Sequence, residues 1–405
     1  MFDSRNFCNM EIQPNQLGVG TPKGAESAIH ALRAYLENPI SQGKVVLKID
    51  FKNAFNCIRR DKILALVKQK IPKIYNFVYQ CYAEKSNLLF GPDIIHFQEG
   101  VQQGDPLGPF LFSLGIQDLI NECKSEFNCW YLDDGTIAGN TASVLHDATM
   151  ISKLYSTHGL KVNPLKIELF LVNPASTLCN KAPESFNAIM EGIKIIQKSN
   201  LTLLGAPIYV NAVEHVLDEK IENLMLMSER LKQIESHEAL FLLRNCFVMP
   251  KLTYFLRTAP CFLKSDILER FDKIVKEFLT SILNISLPER VYAQATLPIA
   301  FGGLGIHQAT DIALIGFLSS VCATASTVQS LLPFLIHTHH SNEYWESAFS
   351  VWSQSFQSSM PDFNIYQSSW DKVISEFKFQ NLLQSADSTK EKARLLAVSS
   401  KNSHY

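Results

Sequence analysis

Apolar residues recur along the first 205 positions in two rhythms. Ala28, Ile29, Leu32 and Leu36 fall at helical spacing and predict a helix over 25–36, stopped by Asn38-Pro39. Lys44-Val45-Val46-Leu47-Lys48-Ile49-Asp50 is a short β-branched run, which predicts a buried strand ending on an acid. Helical spacing resumes at Asp61, which is available as an N-cap, and loosens around Ile71-Pro72. Residues 90–98 predict a strand pair around Gly91-Pro92, and Phe110, Leu111, Leu114, Ile116, Leu119 and Ile120 predict a buried helix. Two short runs, 128–132 and 136–139, flank Asp133-Asp134-Gly135, a strong hairpin signal with the acids at or beside the turn. A helix over 142–158, a strand over 167–172, a polar connection over 173–200 and a strand over 201–205 follow. That order predicts an α+β fold, an antiparallel sheet with helices on one face.

From residue 214 the pattern becomes helical throughout. Leu217, Ile221, Leu224 and Leu231 share one stripe, Ile267, Phe271, Ile274, Phe278 and Ile282 another, and Pro250 interrupts the helix between them. Such stripes predict a helical bundle core. A glycine-rich loop over 301–306 precedes a helix from Thr310 to about Ser319. The last 65 or so residues, rich in Ser, Gln and aromatics including Trp345, Trp352 and Trp370, carry no recognisable motif. The resulting division is 1–210, 211–335 and 336–405. His337, His339 and His340 cluster in sequence and are expected to be a solvated loop rather than a metal site.

Composition changes this picture little. At 405 residues, 46% hydrophobic and 19% charged, the chain reads as a soluble globular protein of two or three domains. Nine cysteines without a CxxC pair read as reduced thiols of an intracellular protein. No apolar run is long enough to suggest secretion or a membrane span, so no membrane partner is expected. Charge is uneven: residues 1–90 hold 13 Lys and Arg against 7 Asp and Glu, a balance of +6 within a chain of net −2. A phosphate-facing first third is one reading of that excess, and compositional scatter is the other.

The candidate chemistry lies in three acids. An acid ending a central strand, Asp50, needs a metal or a basic partner, and Asp133-Asp134 on a turn can hold divalent ions if a third carboxylate reaches them. A compact α+β sheet sets such a strand end beside such a hairpin tip. The loop Gln103-Gly104-Asp105-Pro106-Leu107-Gly108-Pro109 opens a helix with small residues, which lets backbone amides approach a phosphate or a base.

These stretches, in this order, resemble the reverse transcriptases of non-LTR (LINE-like) retrotransposons from about Pro14 to about Ile306. Asp50 with Phe55 resembles the first catalytic motif, the loop from Gln103 the template and nucleotide loop, and Tyr131-Leu132-Asp133-Asp134 the YxDD box. Gly159-Leu160 with Asn163 and Lys166 is similar to the next motif, and Leu203-Leu204-Gly205 to the primer grip. Gln16-Leu17-Gly18, Arg257-Thr258 and Gly302-Gly303-Leu304-Gly305 also recur in these elements. The resemblance implies a right-hand polymerase palm with partial fingers, then an all-α thumb-like domain. It implies Asp50, Asp133 and Asp134 as catalytic metal ligands for two Mg²⁺ ions, with Mn²⁺ an alternative. Phe51, Phe55, Gln103, Gly104 and Lys166 would contact the nucleotide, with Phe55 excluding a ribose 2′-hydroxyl. The partners implied are an RNA template, a DNA primer and dNTPs. Most of the family's fingers, its endonuclease and its Cys/His-rich tail are not expected within these residues. Two further readings stay open, a non-catalytic nucleic-acid-binding remnant and an RNA-dependent RNA polymerase.

Overall fold

The helix expected over 25–36 forms as α1 (Gly24–Glu37) and the β-branched run as β1 (Val45–Ile49). Val45, Val46 and Leu47 are all fully buried, so this strand is covered on both faces and sits inside the sheet. The computed structural model describes residues 12–173, 182–335, 343–362 and 364–400; residues 1–11 and the His337, His339, His340 cluster lie outside them. The chain divides into two units, Met1–Lys198 with Ser326–His337 and Ser199–Ala325 with Thr338–Tyr405.

In the first unit β1 is followed by α2 (Ala54–Cys57), α3 (Arg60–Lys70) and α4 (Pro72–Tyr82). The helical stretch from Asp61 breaks where Pro72 starts a new helix, as proline at the first turn allows. Asp61 is not the cap: Arg59 occupies that position, and Asp61 sits in the first turn paired to its guanidinium at 2.7 Å. An isolated hairpin, β2 (Ser86–Phe90) and β3 (Asp93–Phe97), turns at Gly91-Pro92. Then come α5 (Gly108–Asn121), β4 (Phe127–Tyr131), β5 (Asp134–Gly139), α6 (Thr141–Thr157), β6 (Glu168–Leu171), α7 (Ala182–Asn187) and β7 (Lys194–Ile196).

The main sheet runs β4-β5-β1-β6-β7. Its first four strands pair antiparallel, and β7 adds a parallel edge within the stretch that had no clear periodicity. Leu47, Ile49, Trp130 and Ile137 face a core shared with α5 and α6. The opposite face is also covered at one end: Phe127 points away from Trp130 and meets Tyr35 of α1 with ring centroids 5.7 Å apart.

The second unit opens with a tight hairpin, β8 (Thr202–Leu203) and β9 (Ala206–Pro207). Its helices are α8 (Val210–Leu231), α9 (Ser236–Leu242), α10 (Met249–Thr258), α11 (Ser265–Leu283), α12 (Glu289–Thr296), α13 (Ala309–Leu331, whose residues to Ala325 belong to this unit), α14 (Glu343–Phe356), α15 (Gln367–Gln384) and α16 (Thr389–Val398). A π-helical turn, Leu243–Phe247, joins α9 to α10, where Pro250 stands in the first turn. Residues 199–210 group with these helices because β9 packs on α8 and α10. The aromatic tail is core rather than appendage: Trp345, Trp352 and Trp370 are buried in one cluster with Leu217, Phe271 and Phe317. The segment 236–258 and α13 are long and apolar enough to cross a bilayer by length and composition, and 67% of the apolar window of α13 is buried.

Candidate active site

β4 and β5 are joined by a two-residue turn at Leu132 and Asp133, with Tyr131 paired to Asp134. The Asp134-Gly135 pair does not make the turn. Gly135 lies within β5, between Trp130 and Ile49 of the neighbouring strands, and a Cβ there would fall 2.5 Å from the Trp130 ring. Its glycine is thus demanded by the indole. The turn places the strain on Leu132, held at φ +58, a conformation that costs a side-chain-bearing residue roughly 1–2 kcal/mol.

Asp50 immediately follows β1. Ile49 pairs with Gly135, so one further step along the same register brings Asp50 opposite Asp134. The strand end and the hairpin tip meet as the pattern of acids implied. Asp50 is tied down from a third segment that the sequence reading valued only by resemblance. The Asn163 side chain donates to Asp50 Oδ1 at 3.0 Å, its backbone N–H donates to the Asp50 carbonyl at 2.8 Å, and Lys166 Nζ reaches Asp50 Oδ2 at 2.9 Å. An Asn-Pro turn signal was visible at 163–164, but nothing local said which acid it would hold.

Burial and like charge shape the titration of the pair on the turn. Burial, then the charges of Asp133 and Asp50, push the Asp134 carboxyl up to about 6, against the pull of Lys166 and Lys48. Asp133 is raised by burial and by Asp50. Lys166 is raised in turn by its hydrogen bond to Asp50 and by that carboxylate's charge. Among the described residues no three His, Cys, Asp or Glu side chains converge at ligand spacing. The two Asp50 carboxylate oxygens accept from Asn163 and from Lys166, whose ammonium offsets part of the like charge of the acids.

A cleft of about 620 Å³ opens beside these acids, lined by Asp50, Asp133, Lys166, Phe55, Gln103 and Gly104 among others. The Phe55 ring stacks on the fully buried Phe112 at 4.5 Å and 12°, so it is backed by the core. Phe51 also lines the cleft, but its ring is buried against Trp130. Gln103 is exposed and donates to Asn56 at 3.4 Å, while Gln102, which sequence reasoning passed over, turns inward to Ser86. Gly104 takes φ +87 with open space where a Cβ would stand. Tyr82 anchors the loop by donating to Asp105 and accepting from the Gln102 N–H.

Leu203, Leu204 and Gly205 lie in the second unit, at the tip of the β8–β9 hairpin. Leu204 and Gly205 both take positive φ, and the Leu204 carbonyl accepts from the Tyr254 hydroxyl at 2.8 Å.

Comparison with known proteins gives a match to the reverse transcriptase (RNA-dependent DNA polymerase) family over residues 4–208. The Retrotransposable element SLACS 132 kDa protein of Trypanosoma brucei gambiense is 22% identical over 314 residues, 74% of this chain and 25% of that protein. The Probable RNA-directed DNA polymerase from transposon BS of Drosophila melanogaster is 26% identical over 180 residues, 39% of this chain and 19% of that one. The chain thus spans a quarter or less of the length of these relatives. A structure of telomerase from Candida albicans, in complex with a fragment of telomeric RNA, is similar over 98% of this chain and 55% of its own, at 12% identity and a TM-score of 0.40.

Proposed function

Because the chain belongs to the reverse transcriptase (RNA-dependent DNA polymerase) family, we propose that the cleft beside Asp50, Asp133 and Asp134 extends a DNA primer with dNTPs on an RNA template. The observation that carries this reading is the meeting of Asp50 with the Leu132–Asp133 turn, so that Asp50 and Asp133 line one cleft of nucleotide size.

The donor set suits a divalent cation. All three groups are hard oxygen ligands, and their like charges already raise the Asp133 and Asp134 carboxyls. Asp50, Asp133 and Asp134 would hold two Mg²⁺ ions, or Mn²⁺, which when bound would supply charge that favours ionisation of a primer 3′-hydroxyl and steadies the triphosphate. The protein's own contribution is positioning. The 3′-oxygen bonds to the α-phosphorus as the bond to pyrophosphate breaks, and the rigid strand end and turn keep the carboxylates in line for that exchange. Lys166, 65% exposed and paired with Asp50 on the cleft wall, offers a cation to a triphosphate bound in the cleft. Gln103 and Gly104 offer an amide and an unobstructed backbone to the nucleotide or template base.

A primer-extension assay with Mg²⁺ tests the reading. The wild-type chain is expected to extend, and Asp133→Asn to lose at least about a thousandfold in rate while still binding primer–template. Binding without extension in both proteins marks a non-catalytic remnant and overturns the polymerase reading.

A further inference from the structure

The catalytic turn is held from behind by a residue outside the acidic motifs. β4 is an edge strand of the main sheet, and the loop at 15–17 covers that edge. Leu17 N–H donates to the Trp130 carbonyl and Trp130 N–H to the Asn15 carbonyl, both at 2.7 Å, while the Asn15 side chain donates to the Asn128 carbonyl at 2.7 Å. Gln16 carries the pairing one residue further with its side chain. Its Oε1 accepts from Leu132 N–H at 2.7 Å and its Nε2 donates to the Leu132 carbonyl at 3.2 Å. The Gly18 N–H, at 3.3 Å, completes the Oε1 acceptor. Gln16 is fully buried, so no water can substitute for it. Gly18 must lack a Cβ, which would stand 2.6 Å from Leu132 Cγ.

We propose that Gln16 is a positioning residue for the acidic turn: its buried amide pairs with both polar backbone groups of Leu132, holds that residue at positive φ, and so fixes where Asp133 and Asp134 present their carboxylates. The amide replaces the neighbouring strand that the turn lacks. Because Leu132 takes a conformation its side chain disfavours, the backbone there relaxes once the clamp is gone. The inference rests on reading the cleft as a polymerase centre only for its kinetic consequence, since the clamp itself is a matter of backbone geometry.

The test compares the full chain with Gln16→Met, which keeps the volume and removes all three side-chain hydrogen bonds, and with Asn15→Ala, which loosens the same loop without touching the turn. In the metal-free protein, hydrogen exchange at the Leu132 amide is expected to quicken about tenfold or more in Gln16→Met and to stay at the wild-type rate in Asn15→Ala. Mn²⁺ affinity, followed by electron paramagnetic resonance, should fall about tenfold in Gln16→Met alone. Extension should lose kcat with dNTP KM within about twofold of wild type. Wild-type exchange and Mn²⁺ affinity in Gln16→Met overturn the proposal, as do equal changes in both variants that track a common loss of melting temperature. If the wild type protects Leu132 but extends no primer, the polymerase reading falls and the clamp stands. If Gln16→Met extends at the wild-type rate, the clamp falls and the polymerase reading stands.

Discussion

At the scale of single residues, the acids are governed by burial and mutual repulsion. Asp134 is pushed up to about 6, so if it holds a divalent cation as proposed, protons would compete with that cation for it as pH falls. The apparent Mg²⁺ requirement for extension is therefore expected to rise as pH falls from about 7.5 to about 5.5, and excess Mg²⁺ should restore part of the rate. A Mg²⁺ requirement that is flat across that range would count against the shift. The sugar-gate role that the family resemblance implies for Phe55 would have a comparable physical basis. Phe55 cannot retreat, because Phe112 fills the space behind it. Phe55→Ala should raise ribonucleotide incorporation, and Phe112→Ala should do so more weakly by letting the ring withdraw; competition between dCTP and CTP measures both. Unchanged sugar preference in both variants would remove Phe55 from that role.

At the scale of elements, the sequence announced strands and helices well where one rhythm dominated. β1, α1 and the β4–β5 hairpin were legible because β-branched runs, i to i+4 stripes and turn residues are local signals. What held the elements together was not. Gln16 carries no local sign of its partner, because that partner, Leu132, lies 116 positions away. Gly135 reads as a turn glycine until the Trp130 ring appears beside it. The N-terminus of α13 is a third case. It is capped in trans by Asp272 of α11, which accepts from the N–H groups of Ala309 and Thr310 and from the Thr310 hydroxyl. Burial outweighs those bonds and raises the Asp272 carboxyl to about 6. A folded-state pKa above the unfolded value favours the native state below about pH 4, and that advantage is lost as pH rises through about 6. Shifted by about two units, the group contributes a change on the order of 3 kcal/mol across that window. The difference in urea stability between wild type and Asp272→Asn should thus move against the wild type between pH 4 and 7. A difference independent of pH would show that the carboxyl titrates normally.

At the scale of the whole molecule, the palm-like unit was legible because its acids, loops and strand order come in a recognisable sequence. The aromatic tail was not. Its tryptophans carry no periodic signal of their own partners, yet Trp345, Trp352 and Trp370 share a core with α8, α11 and α13. Trp370→Ala is expected to cost about 3–5 kcal/mol, as large buried truncations do, and to raise hydrogen exchange over 213–322 as well as over 343–400. Exchange confined to the tail would instead mark a third, independent domain.

The β2–β3 hairpin bears on how the chain behaves in concentrated solution. Among the described residues it pairs with no other strand, and Leu88, Leu89, Phe90, Ile94 and Ile95 are all at least half exposed. Its base is tethered by Gln102 to Ser86 and by Arg60 over the Phe97 ring at 5.0 Å. Two free edges with apolar faces form a template for edge-to-edge aggregation. Colloidal behaviour is therefore expected to depend on these ten or so residues more than on the net charge of −2, and Leu89→Lys should raise the concentration at which light scattering first detects clusters.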